Sequence, residues 1–96
     1  MYARYLAFKA SPGSRSEVEA LADQVFGFMK SLQGFVSAHF LVSEDENEYG
    51  SFSLWGSRQD AESAGESVRS KTREALEKLA VEPPTQRVFE VYKPKS

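Results

Sequence analysis

The sequence predicts an α+β sandwich in which two helices cover one face of a four-stranded antiparallel sheet. Three observations lead there. Turn signals cut the chain into short apolar segments and longer amphipathic ones in the order βαββαβ. Two of the short segments are joined by an acidic connection, as in a hairpin. The whole occupies 96 residues, room for one core, so a single domain over residues 1–96 is expected.

The first strand runs from Tyr2 to Lys9, where aromatic and aliphatic residues stop at the turn cluster Ser11-Pro12-Gly13. Ser14 followed by Glu17 has the form of a capping box, in which hydroxyl and carboxylate satisfy the open amides of a helix start. Val18, Ala22, Val25 and Met29 then recur at helical spacing, flanked by Leu21, Phe26, Phe28 and Leu32. Gly34 predicts the stop, since a left-handed terminal residue is cheapest without a Cβ. Phe35 to Val42 and Tyr49 to Trp55 have strand composition, joined by the segment Ser43 to Glu48. That segment lacks the central Gly and distal Glu of an EF-hand, so a solvated turn is expected. Ser57 is placed to cap the second helix, whose inward stripe is Ala61, Ala64, Val68, Thr72, Ala75, Leu76 and Leu79, with Gly65 as a point of bending. Pro83-Pro84 ends that segment and Arg87 to Lys93 makes the last strand. The order is that of a ferredoxin-like sandwich.

Two helices can roof only one side of such a sheet, yet the strands carry apolar residues on both. Val36, Ala38, Phe40 and Val42 alternate with Phe35, His39 and Leu41, and Phe52 and Leu54 alternate with Trp55. Phe89 and Val91 do the same with Val88 and Tyr92. An apolar face without a roof needs a cover, and a second copy of the chain is the economical one, so a homodimer through the sheet face is expected.

A net charge of -2 from 12 basic and 14 acidic residues leaves no footprint for a phosphate backbone, and no nucleic-acid partner is expected. The absence of Cys excludes disulfides, thiolate nucleophiles and Cys-zinc sites, and one His excludes a multi-imidazole metal site within the chain. No metal site of these kinds is therefore expected. The start of the chain lacks a secretory pattern and no window has membrane-spanning length, so the expected compartment is the cytoplasm, without membrane association.

With the hairpin connection centred near Glu46, antiparallel pairing sets Ser37, His39 and Leu41 on the face that carries Ser51, Ser53 and Trp55, and a slip of one residue separates them. The opposite face would be nearly pure hydrocarbon and suits the dimer. The mixed face, beneath the wide stripe of the first helix, suits a small pocket. In it His39, the one imidazole, is a candidate general base or lone haem ligand, or an ordinary packed imidazole. Trp55 either stacks on a ligand or plugs the core. Ser51 and Ser53 are hydroxyl donors without any Ser-His-Asp arrangement, which speaks against nucleophilic hydrolysis. Phe28, with Tyr2, Tyr5, Phe8 and Phe26, can line an aromatic cavity. Arg69, near an edge of the second helix's stripe, either reaches an anionic substrate group or snorkels to water.

Gly34-Phe35-Val36 after an amphipathic helix, and Ser53-Leu54-Trp55-Gly56-Ser57 leading into Asp60-Ala61-Glu62, resemble the antibiotic biosynthesis monooxygenase (ABM) domain of the dimeric α+β barrel proteins, over essentially the whole chain. The resemblance implies a homodimer with sheets face to face and a pocket in each subunit between sheet and helices. It also implies that Trp55 is the strand tryptophan lining that pocket. Some members oxidise polyphenolic or quinol substrates with molecular oxygen and no metal or flavin; others degrade haem. The oxygenase branch has an Asn where this chain has Ser51, and often an acid where it has Ser53. The first-strand Asn and second-helix His of the haem branch have no counterpart, so haem degradation is disfavoured.

On this reading the chain is a cofactor-independent monooxygenase acting on a small quinol-like or polyphenol-like aromatic. His39 accepts the phenolic proton and Trp55 stacks on the ring, with Ser51, Ser53, Phe28 and Arg69 binding substrate. The alternative is a non-catalytic dimeric module binding a small apolar ligand. In a third reading the chain's own side chains fill the pocket, which a void below a few hundred Å³ would mark.

Overall fold

The computed structural model describes residues 1–95. Its elements are β1 (Tyr2–Lys9), α1 (Arg15–Met29), β2 (Phe35–Val42), β3 (Glu48–Trp55), α2 (Arg58–Leu79) and β4 (Thr85–Glu90). The strands form one antiparallel sheet in the order β2-β3-β1-β4, and both helices pack on one side of it, the ferredoxin-like α+β arrangement that the sequence predicts. None of the described helices is long and apolar enough to cross a membrane.

Local chemistry accounts for most boundaries. The Ser57 hydroxyl accepts the Asp60 amide at 3.1 Å and starts α2 as expected. The capping box expected at α1 does not form: Ser14 has helical backbone angles and its side chain makes no capping bond. The first turn is held from outside instead, with Arg15 bonded to Glu19 at 2.9 Å and to Glu46 of the β2–β3 connection at 3.2 Å. Gly34 has φ +80 but sits beyond the helix end at Met29, in the turn entering β2. A Cβ there would run into the Asp60 carboxylate, and the Gly34 carbonyl accepts the Gly56 amide at 2.8 Å, tying the start of β2 to the end of β3. β4 begins at Thr85 rather than Arg87 and stops at Glu90 rather than Lys93, because the chain pairs with β1 as soon as it leaves Pro84.

The hairpin register differs from expectation, and the difference inverts one strand. The connection of residues 43–47 leads straight into pairing of Val42 with Tyr49, closed by the Ser43 amide donating to the Glu48 carbonyl at 2.9 Å. Ser43 also donates its hydroxyl to Asp45, whose carboxylate is held below the ordinary range mainly by that bond. Symmetry about this pairing sets Phe40 opposite Ser51 and Ala38 opposite Ser53, half a residue from a loop centred on Glu46. Because side chains alternate with period 2, that half-residue moves His39 to the other face. A bulge between Phe35 and Ser37 absorbs the extra residue and leaves Phe35 opposite Trp55.

Beneath the helices the sheet therefore presents Tyr2, Arg4, Leu6 and Phe8 from β1, Phe35, Ala38, Phe40 and Val42 from β2, and Tyr49, Ser51, Ser53 and Trp55 from β3. The uncovered face carries His39, Leu41, Phe52, Leu54, Tyr5 and Phe89. It remains apolar, with Leu41 49%, Phe89 39% and Phe52 36% exposed. The expected hydrocarbon face was thus composed of the wrong half of β2: Ala38, Phe40 and Val42 point under the helices.

The covered layer holds two clusters. Trp55, Met29, Val25, Ala61, Ala64 and Val68 make one, with Phe28 and Phe35 against it. Phe8, Ala10, Val18 and Tyr49 make the other, flanked by Leu6, Leu76 and Leu79.

Candidate functional site

A cavity of about 420 Å³ opens between α1 and the sheet, over β1, β3 and the end of β2. Leu6, Phe8, Val18, Val25, Phe40 and Val42 supply apolar walls. Its size lies in the range of small-molecule sites, so the reading in which side chains fill the pocket is overturned. Ser51 reaches it from β3 beside Phe40, and Phe40 meets Phe26 edge to face at 6.4 Å. Arg15, Glu19 and Asp23 of α1 also line it.

The distinctive polar group is Tyr49. Its ring stacks on Phe8 at 5.8 Å, the residue is 4% exposed, and its buried hydroxyl has no partner among the described residues. Buried polar atoms are nearly always satisfied, so a buried phenol O–H without a partner, in a residue that lines the cavity, is the exception among the described residues. Thr72, also at the wall, is already committed, donating to the Val68 carbonyl at 2.8 Å.

The residues expected to form the site are dispersed. Only Ser51 among them lines this cavity. Trp55 is 0% exposed, packed edge-on to Phe35 at 5.5 Å, with its indole N–H donating to the Ser53 hydroxyl at 2.9 Å. With no free ring surface, Trp55 plugs the core in this arrangement, and Ser53 serves it as acceptor. His39 is exposed on the opposite side of the sheet, paired with Phe52, so it cannot take a proton from a molecule in the cavity of its own subunit. Phe28 packs against the Trp55 cluster, with the Lys71 ammonium 5.0 Å above its ring. Arg69 lines a second cavity.

That second cavity, of about 440 Å³, lies between α2 and the β1–β4 edge. Arg4 contributes to both cavities and is 6% exposed. Its Nη2 donates to Gln86 Oε1 at 2.6 Å, and it makes no ion pair among the described residues. Burial, and then the neighbouring charge of Arg69, pull its pKa below the ordinary arginine value. Gly65 of α2 makes room for it: a Cβ there would stand 2.8–2.9 Å from the guanidinium.

Tyr49 and Arg4 escaped the sequence reading, though each left a trace. Arg4 is the one charge inside the apolar run Tyr2 to Phe8, at a position alternating in phase with Leu6 and Phe8. Tyr49 directly follows the acidic connection and reads as a strand starter. Its alternation with Ser51, Ser53 and Trp55 sets it on their face in either hairpin register, since the register change moves β2 alone. No three His, Cys, Asp or Glu side chains converge on a metal position among the described residues.

Neither a protein-family model nor a curated protein matches this chain. Solved structures do. Rv0793 from Mycobacterium tuberculosis is 23% identical with a TM-score of 0.81, over 99% of this chain and 98% of that one. SnoaB, a cofactor-independent oxygenase from Streptomyces nogalater, is 19% identical with a TM-score of 0.81, over 97% and 94%. The monooxygenase ActVA-Orf6 of Streptomyces coelicolor, solved with nanaomycin D, is 20% identical with a TM-score of 0.79, over 99% and 90%. At these identities the likeness establishes the fold, which is that of antibiotic biosynthesis monooxygenase structures.

Proposed function

We propose that the chain is a cofactor-independent monooxygenase of the ABM type that oxidises a small phenolic or quinol-like aromatic in the first cavity. The observation that carries this reading is the unpartnered Tyr49 hydroxyl, buried at the wall of an apolar cavity. Support comes also from the fold shared with SnoaB, a cofactor-independent oxygenase, and with ActVA-Orf6.

Oxygenation of a phenol without metal or flavin requires the substrate itself to supply electrons, which its anion does far more readily than the neutral form. Overall, a phenol and O₂ give a quinone and water: the ring loses two hydrogens and gains one oxygen atom. The protein's task is to favour the oxyanion and keep water from the oxygen adduct. Tyr49 donates its hydroxyl to that oxyanion and Ser51 offers a second donor. Phe8 and Phe40 flank the ring, and the aliphatic walls give it an apolar bed. The phenolic proton leaves toward α1, where Asp23 is a lining carboxylate not held by an arginine, whereas Glu19 is bonded to Arg15. Trp55 contributes by fixing the β3 end of the core.

The uncovered face of the sheet fits a second copy of the chain through Leu41, Phe52, Leu54 and Phe89, with His39 at that interface rather than at the chemistry. Phe52→Glu is expected to convert a dimer into a monomer by sedimentation, and a wild type that sediments as a monomer at micromolar concentration removes this part of the reading.

The test of activity is oxygen uptake with a panel of dihydroxynaphthalenes and related quinols. Wild type is expected to turn over at least one of them. Loss of one oxyanion donor in Tyr49→Phe should lower kcat about 100-fold with little change in KM, while His39→Gln keeps its rate. No uptake across the panel, or an unchanged rate in Tyr49→Phe, overturns the proposal.

A further inference from the structure

We propose that the second cavity is an anion site, in which the Arg4 and Arg69 guanidiniums bind the carboxylate of a small amphiphilic acid whose apolar body rests on Leu6, Val68, Leu76 and Pro83.

Arg4 carries the argument. A guanidinium does not give up its proton in a protein, so Arg4, a residue only 6% exposed, carries a permanent charge. Removing a charge from water is costly unless a counter-charge compensates, and the described residues supply none. Its one protein acceptor is the neutral Gln86 amide, leaving most of the five N–H donors for something else.

The charged head belongs to the second cavity rather than the first. Gln86, which accepts from Nη2, lines the second cavity only, as do Gly65, against which the head lies, and Arg69, whose charge it feels. Arg73, one turn beyond Arg69, adds a third guanidinium to the lining. Two like charges drawn together without an anion repel, so a carboxylate between Arg4 and Arg69 relieves both at once, in the fork geometry that guanidinium favours. Two acids also face the space, Glu77 and Glu82; Glu82 lies 3.7 Å from Lys9, and neither pairs with the arginines. The remaining lining is aliphatic and proline-rich, which selects an acid with an apolar body over a bare inorganic ion, and about 440 Å³ accommodates one.

This site does not depend on the chemistry of the first cavity, and binding alone tests it. Calorimetric titration of the intact protein would compare benzoate, its neutral isostere benzamide and inorganic phosphate. Benzoate is expected to bind at least about tenfold more tightly than either of the others. Arg69→Gln, at an exposed position, should weaken benzoate several-fold without moving the melting temperature of the free protein. Arg4→Met should weaken it by about tenfold or more. Should Arg4→Met fail to fold, Gly65→Ala displaces the same guanidinium while keeping its charge and is expected to weaken benzoate too. Benzamide or phosphate binding as tightly as benzoate overturns the proposal, as does benzoate affinity unchanged in both Arg69→Gln and the Arg4 or Gly65 variant. Loss of benzoate binding in Ser51→Val also overturns it, because the acid would then occupy the first cavity.

Discussion

The two ends of the covered layer are built from the same sheet and the same helices, yet one is solid where it meets the sheet, its hollow confined to a groove over Leu32, Ser57 and Ala64, and the other is hollow down to the strands. At the Trp55 end, a full indole meets Met29 and the small side chains of Ala61 and Ala64, and Trp55 and Ala61 are 0% exposed. At the Tyr49 end, the helices meet the sheet through Val18 and Leu76 and leave space on either side of α2, about 420 Å³ and about 440 Å³. The solid end satisfies its polar atoms internally, as in the Trp55–Ser53 bond, whereas the hollow end leaves a phenol without a partner and a guanidinium without a counter-charge among the described residues. A chain of 96 residues has little stability to spare, so unsatisfied groups at one end require a well-packed other end.

The most damaging way to break this contrast is Trp55→Ala, expected to cost about 3–5 kcal/mol in denaturant unfolding, because the rigid surroundings cannot collapse into the void. A loss below about 1 kcal/mol would mean the solid end is not solid. The next test applies one change to both ends. Ala64→Leu overpacks the Trp55 cluster and should cost about 1–3 kcal/mol. Ala22→Leu extends into the first cavity and should fall within about 0.5 kcal/mol of wild type while blocking substrate oxidation. Equal costs at the two positions would erase the distinction. The smallest effect has the opposite sign: Tyr49→Phe removes an unpartnered buried hydroxyl and should stabilise the free protein by about 1 kcal/mol. Destabilisation by that amount would show that the hydroxyl has a structural partner.

The elements were legible in the sequence because each has a local cause. The Ser57 cap, the apolar stripe of α2 and the turn residues around Pro12 and Pro83 act over a few positions, and the structure follows them. Ser14 shows the limit of such reasoning: the residue pattern was right for a capping box, but the backbone at Ser14 is helical and its hydroxyl makes no capping bond. The candidate site was less legible. Ser51 lies at a cavity, His39 lies on the face opposite the one that the expected register gave it, and Trp55 takes the core-plug position that was one of its two readings.

What the sequence determined by itself was the order of elements, the α+β sandwich and an uncovered apolar sheet face, since periodicity and composition act along the chain. Which residues share a face, where the cavities lie and which polar groups they hold were decided by tertiary structure. A half-residue in the β2–β3 register and a bulge at Val36 redirect a whole strand, and burial of Arg4 and Tyr49 arises only when α2, β1 and β3 close over them. Local free energies set the elements; the sum of packing over both helices and all four strands sets the site.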